Sequence, residues 1–343
     1  MHWLNFSLVL ASLAIGLVGA SDTQCPTVPA ISSDRRADKS TFRLMQYNVE
    51  WLFTDYYSNA QCPGSGCPWA NQTQAQTHME WVGNVISELK PDYVNLCEVE
   101  GCDELNELVG ELDGSYMPYL IKGTDSATGQ NVGIISRIDP VVNLYRDETR
   151  YTYPIPGSKC GYTGASGTSG VSKHYITELH LPGSKSESTY DIAVIGLHLL
   201  AYPTDSTRCA EREAQALVAQ QIALKYLAAG YEVIILGDLN DYDGVVLDAN
   251  KSVPTSQVLE ILKTNGKLVT TNSWIPQDSR YTNWWDKDNS CVSTPNEFSM
   301  IDHILVTPGL ANKIKGAFVY HGYGEFCGTY NSDHYPVIVD FEL

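Results

Sequence analysis

The sequence has little positive charge. Lys and Arg number 22 against 40 Asp and Glu, which gives a formal net charge of −18 at pH 7. Such a surface repels a polyanion at long range, and counterion release cannot drive polyanion binding without a basic patch. The chain also lacks a basic tail, a repeat and a low-complexity tract. The composition therefore argues against tight, sequence-independent DNA binding, although bound cations would cancel part of the charge where a phosphate sits.

Long apolar runs are nearly absent. One run spans Leu8–Val18 and is followed by the small residues Gly19 and Ala20. It is short for a bilayer span, and no second run follows. We interpret residues 1–20 as a signal peptide, with a membrane anchor as the competing interpretation. Residues 21–41 are then an N-terminal extension, and residues 42–343 are expected to form one domain. The mature protein is expected to be secreted, monomeric and without a stable membrane anchor.

The cysteines lack the spacing of a zinc site. All nine follow the predicted cleavage site, so an oxidising compartment would pair most of them and leave at least one unpaired. Cys62 and Cys67 favour a small disulfide loop over a metal knuckle because no histidine lies nearby. Cys97 and Cys102 are candidates for a second short disulfide loop.

Two N-glycosylation sequons suit a secreted chain. They are Asn71-Gln-Thr73 and Asn250-Lys-Ser252. They matter only if the secretory pathway of the organism glycosylates, and both are expected on the surface.

Strand-like and helix-like segments alternate along the chain. Apolar and β-branched runs predict strands at 42–47, 92–97, 132–136, 175–181, 192–197, 232–236, 304–306, 316–320 and 337–341. A period near 3.6 predicts helices at 77–89, 104–112 and 209–228, the last capped by Asp205-Ser206-Thr207. The Gly- and Ser-rich stretch 154–172 is predicted to be a surface loop.

Polar side chains collect at the ends of six of these strands. They are Asn48, Glu50, Glu98, His198, Asp238, Asn240, Asp302, Asp333 and His334. A single such position is ordinarily a turn residue or a structural histidine. Six at once, combining carboxylate, amide and imidazole chemistry, instead predict one cleft at the edge of a sheet.

The motifs that contain these residues resemble those of a known superfamily. QYNVEWLF, LCEVE, GLHL, GDLNDYDG, SMIDHILV and NSDHYPV are similar, in this order over about residues 42–343, to those of the endonuclease/exonuclease/phosphatase superfamily. Pancreatic-type DNases, abasic-site endonucleases, inositol-polyphosphate phosphatases and neutral sphingomyelinases share them. Together the pattern and the resemblance imply a four-layer α/β sandwich, with two mixed β-sheets packed face to face and helices outside.

The resemblance also implies roles for the residues. It places Asn48, Glu50 and Glu98 at a metal, with Glu98 as the principal ligand. Asp333 is assigned either to the metal or to holding an imidazole. Carboxylate and amide oxygens suit Mg²⁺ or Mn²⁺, with Ca²⁺ as a third option, and phosphoester cleavage needs such a hard cation.

The remaining residues are implied to handle water and phosphate. Asp238 positions or deprotonates the attacking water, and Asn240 hydrogen-bonds the scissile phosphate. Asp302 orients His334, which acts either as a base or as a cationic phosphate contact. His198 either contacts the phosphate or protonates the leaving oxygen. His303 is left out of the site because strand alternation turns it to the opposite face.

The chain departs from DNase-like relatives at one position. Relatives place an acidic partner for the first histidine just before the strand that here reads VGIISR, where this chain has Gln130-Asn131. An amide orients imidazole but cannot stabilise imidazolium as a carboxylate does. This substitution weakens the assignment of His198 as a general acid.

Other residues near these motifs have two interpretations each. Arg208 and Arg212 either reach a substrate phosphate or lie on a solvated helix face. Trp284 and Trp285 either stack on a base or anchor a loop.

Three functions remain in competition. The first is an extracellular metal-dependent nuclease or phosphodiesterase acting on nucleic acid. The second keeps the chemistry but takes a small phosphoester or a lipid headgroup, which an acidic surface tolerates better. The third is a secreted, non-catalytic binding protein, which the filled metal and acid–base positions disfavour.

Overall fold

The computed structural model of the protein describes residues 25–54, 66–183, 189–288, 290–323 and 331–343. The predicted signal peptide, residues 1–20, lies outside the described residues. Within the described ranges, no helix has both the length and the apolar composition required to span a membrane.

Strands and helices alternate as predicted. Up to residue 182 the elements are β1 (Thr41–Leu52), α1 (Gln72–Leu89), β2 (Tyr93–Val99), α2 (Cys102–Gly110), β3 (Met117–Leu120), β4 (Asn131–Ser136), β5 (Tyr151–Tyr153), β6 (Gly167–Ser169) and β7 (Lys173–Pro182). They continue with β8 (Thr189–His198), α3 (Ser206–Ala228), β9 (Glu232–Asp238), α4 (Val258–Leu262), β10 (Val269–Thr270), β11 (Asn283–Trp284), β12 (Phe298–Ser299), β13 (Asp302–Val306), α5 (Pro308–Ala311), β14 (Ile314–Val319) and β15 (Val337–Glu342).

The strands form two large mixed sheets. One has six strands in the order β14-β15-β1-β2-β4-β3, and the other has five in the order β10-β13-β9-β8-β7. The inner faces of the sheets pack against each other in one apolar core, to which Leu96 of β2 and Leu236 of β9 both belong. Helices α1 and α2 cover the first sheet, while α3 and α4 cover the second. The predicted four-layer α/β sandwich is therefore confirmed.

Helix boundaries follow local capping. Helix α1 begins five residues before the predicted start of 77 because the Asn71 side chain caps it and accepts a hydrogen bond from the Gln74 amide at 3.1 Å. Asp205 caps α3 as predicted, accepting from the Arg208 amide at 2.8 Å. Helix α2 is shifted two residues towards the N-terminus of its predicted span.

The stretch 154–172 is mostly irregular, as predicted, but it is not a free surface loop. Its residues Gly167–Ser169 form β6, which pairs with β5. Within the same stretch, Cys160 forms a disulfide with Cys209 of α3. The stretch is therefore attached to the helix that covers the second sheet.

One predicted disulfide is wrong. Cys102 pairs with Cys25, and Cys97 is a free, buried cysteine. The two cysteines lie on opposite sides of the first sheet. Cys97 lies in β2 on the face towards the second sheet, where its thiol donates to the Leu197 carbonyl. Cys102 begins α2, which covers the outer face of the first sheet. The other predicted loop involves Cys62, which lies outside the described residues.

The two sequons differ in exposure. Asn71 is exposed, as predicted. Asn250 is half-buried, and its amide donates to the Phe298 carbonyl at 2.5 Å. Only the first sequon presents its asparagine fully on the surface.

The free thiol gives a direct chemical check of the packing. Cys97 is 0% exposed and burial raises its pKa, so the reactive thiolate does not form in the folded protein. We expect iodoacetamide to leave Cys97 unmodified in the native protein and to alkylate it in guanidinium without any reductant, as read by peptide mass spectrometry. Alkylation of Cys97 in the native state, or a need for reductant, would contradict this packing.

Candidate active site

Three strands of the second sheet end level with one another. His198, the last residue of β8, is paired with Asp238, the last residue of β9, and Asp238 is paired with Asp302, the first residue of β13. This register brings an imidazole and two carboxylates to one edge of the sheet. Their side chains are all at least 96% buried.

The first sheet contributes Asn48 and Glu98 to the same edge. Both lie where the pairing of β1 with β2 is irregular, since the register shifts after Asn48. Glu50 has φ 48° and Glu98 has φ 69°, which are left-handed conformations. Bulges and strained residues of this kind turn side chains out of the normal alternation, and they are concentrated at functional sites.

Asn48 connects the two sheets. Its Nδ2 donates to Glu98 Oε1 at 3.2 Å and to Asp238 Oδ2 at 3.0 Å. Its Oδ1 accepts from the Glu50 amide at 3.0 Å. One buried amide therefore fixes the positions of three acidic residues.

Glu50, Glu98 and Asp333 form a cluster of partly buried carboxylates. Glu50 Oε2 accepts from the Asp333 amide at 3.0 Å, and Glu98 Oε2 accepts from the Trp51 amide at 3.2 Å. Burial, with repulsion from Asp333 and Glu98, raises the pKa of Glu50 well above its usual value. Burial also raises the pKa of Asp333 to about 6, against the effect of the neighbouring His334. A divalent cation would relieve this repulsion, so the cluster fits one.

Asp302 and His334 form a tight pair. Asp302 Oδ2 lies 2.6 Å from His334 Nδ1. Burial alone would lower the pKa of His334, but Asp302 and then Asp333 together raise it well above its usual value. The two carboxylates therefore favour the cationic form of the imidazole, and its Nε2 points towards Asp238 Oδ2 at 4.0 Å.

A chain of core amides holds Asp302 in turn. Asn95 donates to Gln46 Oε1 at 2.5 Å, and Gln46 Nε2 donates to Asp302 Oδ1 at 3.0 Å. Both amides are completely buried between the sheets. A chain of three hydrogen bonds that begins at Asn95 therefore fixes the orientation of His334 from inside the core.

Asp238 lies between the two histidines. Its Oδ2 is 3.6 Å from His198 Nε2 and 4.0 Å from His334 Nε2. Burial and the charge of Asp302 raise its pKa to about 7. A carboxylate with a pKa near neutral is suited to exchange a proton with water at physiological pH.

His198 has no acidic partner at Nδ1. That atom is buried and has no hydrogen-bond partner among the described residues. Gln130 instead accepts from Lys173 Nζ at 3.3 Å, and Asn131 donates to the Glu100 carbonyl at 2.7 Å. Burial, followed by the nearby charges of Lys173 and His334, lowers the pKa of His198 well below its usual value, so the ring is neutral.

Asn240 is held beside Asp238. Its backbone amide donates to Asp238 Oδ1 at 2.9 Å, and its side chain donates to the Leu199 carbonyl at 3.2 Å. Its φ of 50° is again left-handed. All nine strand-end residues singled out in the sequence are therefore brought together within one network.

His303 lies on the opposite face of β13, as predicted. Its Nε2 contacts the Asp241 carbonyl at 2.8 Å and its Nδ1 contacts the Asn272 side chain at 3.0 Å. It takes no direct part in the cleft.

Burial decides between the interpretations of Arg212 and of Trp284. Arg212 is fully buried, so neither a phosphate contact nor a solvated face describes it. Arg208 is exposed on the same helix.

Trp284 is buried and donates to Glu297 Oε2 at 3.1 Å, which makes it a structural residue. Trp285 is 58% exposed.

The sequence patterns do not predict several residues of the network. Gln46 and Asn95 are polar residues inside apolar strand runs, and this unusual position is the sequence feature that could have identified them. Ser332 donates to the Asn48 carbonyl at 2.7 Å and accepts from the His334 amide at 3.0 Å. Nothing in the sequence around this loop serine predicts either contact.

Among the described residues, one group of potential metal ligands lies within this site. Asp238, Asp302 and His334 each offer a ligand atom, and these atoms lie within 4.8 Å of one another. The carboxylates of Glu50, Glu98 and Asp333 do not form another such group among the described residues. They remain candidate cation ligands because repulsion from Asp333 and Glu98 raises the pKa of Glu50, whereas Asp302 and His334 already hydrogen-bond each other.

Known structures share this fold. A protein of the endonuclease/exonuclease/phosphatase family from Bacteroides vulgatus superposes with a TM-score of 0.53 at 18% identity, covering 88% of this chain and 99% of that one. A family member from Bacteroides thetaiotaomicron gives 0.51 at 14%, covering 88% and 98%. TDP2 of Caenorhabditis elegans gives 0.52 at 13%, covering 88% and 74%.

The sequence itself identifies the family. No curated protein matches the chain by sequence. The Endonuclease/Exonuclease/phosphatase family, however, matches over residues 45–334, which is most of the chain. Its members are generally phosphoesterases that use divalent metals. This protein belongs to the endonuclease/exonuclease/phosphatase family.

Proposed function

We propose that this chain is a secreted, divalent-metal-dependent phosphodiesterase that hydrolyses the phosphodiester bonds of nucleic acids. The observation that carries the proposal is the position of Asp238. It lies between two imidazoles, within 3.6 Å of His198 and 4.0 Å of His334, and Asn48 links it to the carboxylate cluster. Phosphodiester hydrolysis needs a water-activating group, a phosphate contact and a cation site in this proximity.

Glu50, Glu98 and Asp333 would hold the cation, with Asn48 positioning them. Mg²⁺ or Mn²⁺ matches their oxygen donors, and Ca²⁺ would also be accepted. When bound, the cation neutralises charge on a phosphate oxygen.

The protein residues divide the proton transfers between them. Asp238, with a pKa of about 7, takes the proton of the attacking water. Asp302 keeps His334 protonated, so its Nε2 contacts the phosphate as a cation and gives a proton to the leaving oxygen. His198 is neutral and contacts the phosphate by a hydrogen bond, and Asn240 adds a second such contact.

Two observations bear on the substrate. Trp285 is 58% exposed and directly follows Trp284, whose amide donates to the Asp333 carbonyl, so the backbone before Trp285 lies beside Asp333, and its exposed ring is proposed to stack on a base. The net charge of −18 favours a second candidate, a small phosphoester or a lipid headgroup, because a short substrate meets less repulsion than a polynucleotide.

Secretion is supported by the covalent structure. Two disulfides, Cys25–Cys102 and Cys160–Cys209, are consistent with an extracellular protein. With residues 1–20 removed as a signal peptide, the mature chain would act as a monomer without a membrane anchor.

The function is tested by cleavage of polynucleotides. We expect Mg²⁺-dependent release of acid-soluble nucleotide from DNA or RNA, abolished by EDTA. Asp238→Asn should lower kcat by about 10²–10⁴-fold because it removes the group that accepts the proton of water. Asp191→Asn is the matched control, since Asp191 pairs with His180 near the opposite end of β8, is exposed, and should leave activity unchanged.

The substrate class is separated in the same assay. Bis-p-nitrophenyl phosphate, sphingomyelin and inositol phosphates are compared with DNA and RNA at equal enzyme concentration. Turnover of these compounds without cleavage of any polynucleotide would exclude the nuclease and support the second candidate.

The carboxylate cluster is tested by stability. The unfolded pKa of Glu is about 4.3 and the folded pKa of Glu50 is higher. The contribution of Glu50 to the stability of the metal-free fold is therefore most favourable below the unfolded pKa and is lost as pH rises through the folded pKa. In EDTA at pH 7.5, Glu50→Gln should therefore raise Tm, by about 2–4 °C for each kcal/mol of relieved repulsion.

Mg²⁺ provides the second half of this test. It should raise the Tm of the wild type by binding only the folded state, and raise that of Glu50→Gln less. Glu342→Gln, at an exposed pair with Lys315, is the control and should change neither value. A lower Tm for Glu50→Gln in EDTA, together with an undiminished rise with Mg²⁺, would exclude Glu50 from the cation site.

A further inference from the structure

Arg212 is a buried charge outside the cleft. It lies on α3 and its side chain is 0% exposed. Burying a guanidinium is costly unless its donors are all directed at acceptors, so its contacts indicate what it is for.

Those contacts converge on one loop and one carboxylate. The guanidinium donates to the carbonyls of Leu200 at 3.0 Å, Ala201 at 3.3 Å, Tyr202 at 3.1 Å and Pro203 at 3.0 Å, and to Asp241 Oδ2 at 3.2 Å. The four carbonyls belong to consecutive residues immediately after His198 and Leu199. We call residues 199–203 the His198 loop.

The His198 loop is held in a conformation that it would not adopt alone. Tyr202 has φ 68°, a left-handed conformation that is unfavourable for a bulky residue, and its side chain is 61% exposed. No apolar burial of Tyr202 offsets this cost. The hydrogen bond from Arg212 to the Tyr202 carbonyl is therefore one of the interactions that maintain the turn.

Asp241 connects the same guanidinium to the other catalytic strands. It directly follows Asn240, its Oδ2 also accepts from Ser256 Oγ at 2.6 Å, and its carbonyl contacts His303 Nε2 at 2.8 Å. His303 is the neighbour of Asp302 in β13. One ion pair thus reaches the loops or strands that carry His198, Asn240 and Asp302.

The His198 loop and the strand end at Asp238 are also in direct contact. The Leu199 amide donates to the Asp238 carbonyl at 2.9 Å, and Asn240 Nδ2 donates to the Leu199 carbonyl at 3.2 Å. A shift of the His198 loop would therefore displace the side chain of Asn240 as well as that of His198.

We propose that Arg212, paired with Asp241, is a positioning residue that fixes the His198 loop against Asn240 and so sets the geometry of the phosphate contacts. The proposal rests on the phosphodiesterase activity proposed above. Arg212 acts through backbone carbonyls and does not itself touch substrate.

Lysine cannot replace arginine in this role. A single ammonium has three donors at one point, whereas the planar guanidinium spreads its donors across four carbonyls and a carboxylate. Arg212→Lys keeps the charge and most of the volume while it removes the simultaneous contacts. The expected result is a folded enzyme with a misplaced loop, and a misplacement of about 1 Å lowers rate by about 10²-fold.

The matched control is Arg35→Lys. Arg35 also contacts two backbone carbonyls, those of Ser115 at 2.7 Å and Ser136 at 3.2 Å, and pairs with Asp139 at 2.5 Å. It packs at the first sheet, away from the cleft. Arg35 is 26% exposed where Arg212 is fully buried, so this variant should lose stability as Arg212→Lys does, though less, and should keep its catalytic rate.

The experiment measures kcat and KM for bis-p-nitrophenyl phosphate with Mg²⁺, together with amide hydrogen exchange of the His198 loop and of residues 239–242. We expect Arg212→Lys to lower kcat by about 10- to 100-fold with KM changed by less than about two-fold, and to speed exchange in both segments. Asp241→Asn should give the same pattern. The double variant should lose little more than either single variant, because the two residues act as one unit.

The proposal is overturned if Arg212→Lys and Asp241→Asn have the kcat of Arg35→Lys, or if exchange in both segments equals that of the wild type. If the wild type hydrolyses no phosphodiester, the proposed function fails by itself. Exchange then decides the positioning role alone: faster exchange confined to these segments supports it, and unchanged exchange excludes it.

Discussion

The contact between the two sheets at Asn48 and Asp238 is the interaction on which the site depends. Packed sheets lie about 10 Å apart, so only side chains that face each other across the gap can touch. Asn48 of the first sheet donates to Asp238 of the second at 3.0 Å and to Glu98 of its own sheet at 3.2 Å. The candidate site residues are arranged around this bridge, with the carboxylate cluster on the Glu98 side and the two imidazoles on the Asp238 side.

The pKa shifts at the site follow from the burial of acidic residues between the two sheets. Burial raises the pKa of Asp238 to about 7 and of Asp333 to about 6. The two histidines respond in opposite directions, because His334 has Asp302 at 2.6 Å and His198 has no acidic partner at Nδ1. The pKa of His334 is therefore raised and that of His198 lowered within the same site. The different roles proposed for the two histidines rest on this difference.

Much of this was accessible from the sequence. The strand-end positions of His198, Asp238 and Asp302 predicted their convergence, because residues that end level strands meet at one edge. The alternation that placed His303 on the outer face was equally local. Motif order supplied the fold and the family, which periodicity alone could not have distinguished from other α/β sandwiches.

The other features of the site and of the disulfides depend on contacts between segments far apart in sequence, which local patterns do not predict. Nothing in the strand around Cys97 shows that it faces the second sheet, so the sequence makes it a candidate partner of the nearby Cys102. In the structure Cys102 pairs with Cys25, and Cys97 is free. For Arg212 the sequence predicts either a phosphate contact or a solvated helix face, because helical periodicity does not show the four backbone carbonyls that its buried guanidinium contacts. Gln46 and Asn95 acquire their meaning only when Asp302 is placed opposite them.

The central claim, that the buried carboxylates form the cation site of a phosphodiesterase, is tested most directly by anomalous diffraction from crystals grown with Mn²⁺. We predict one strong peak coordinated by oxygens of Glu50, Glu98 and Asp333, next to Asp238 and the two histidines. A peak confined to the acidic group of Asp286, Asp288 and Glu297, or a peak at none of these residues, would contradict this claim.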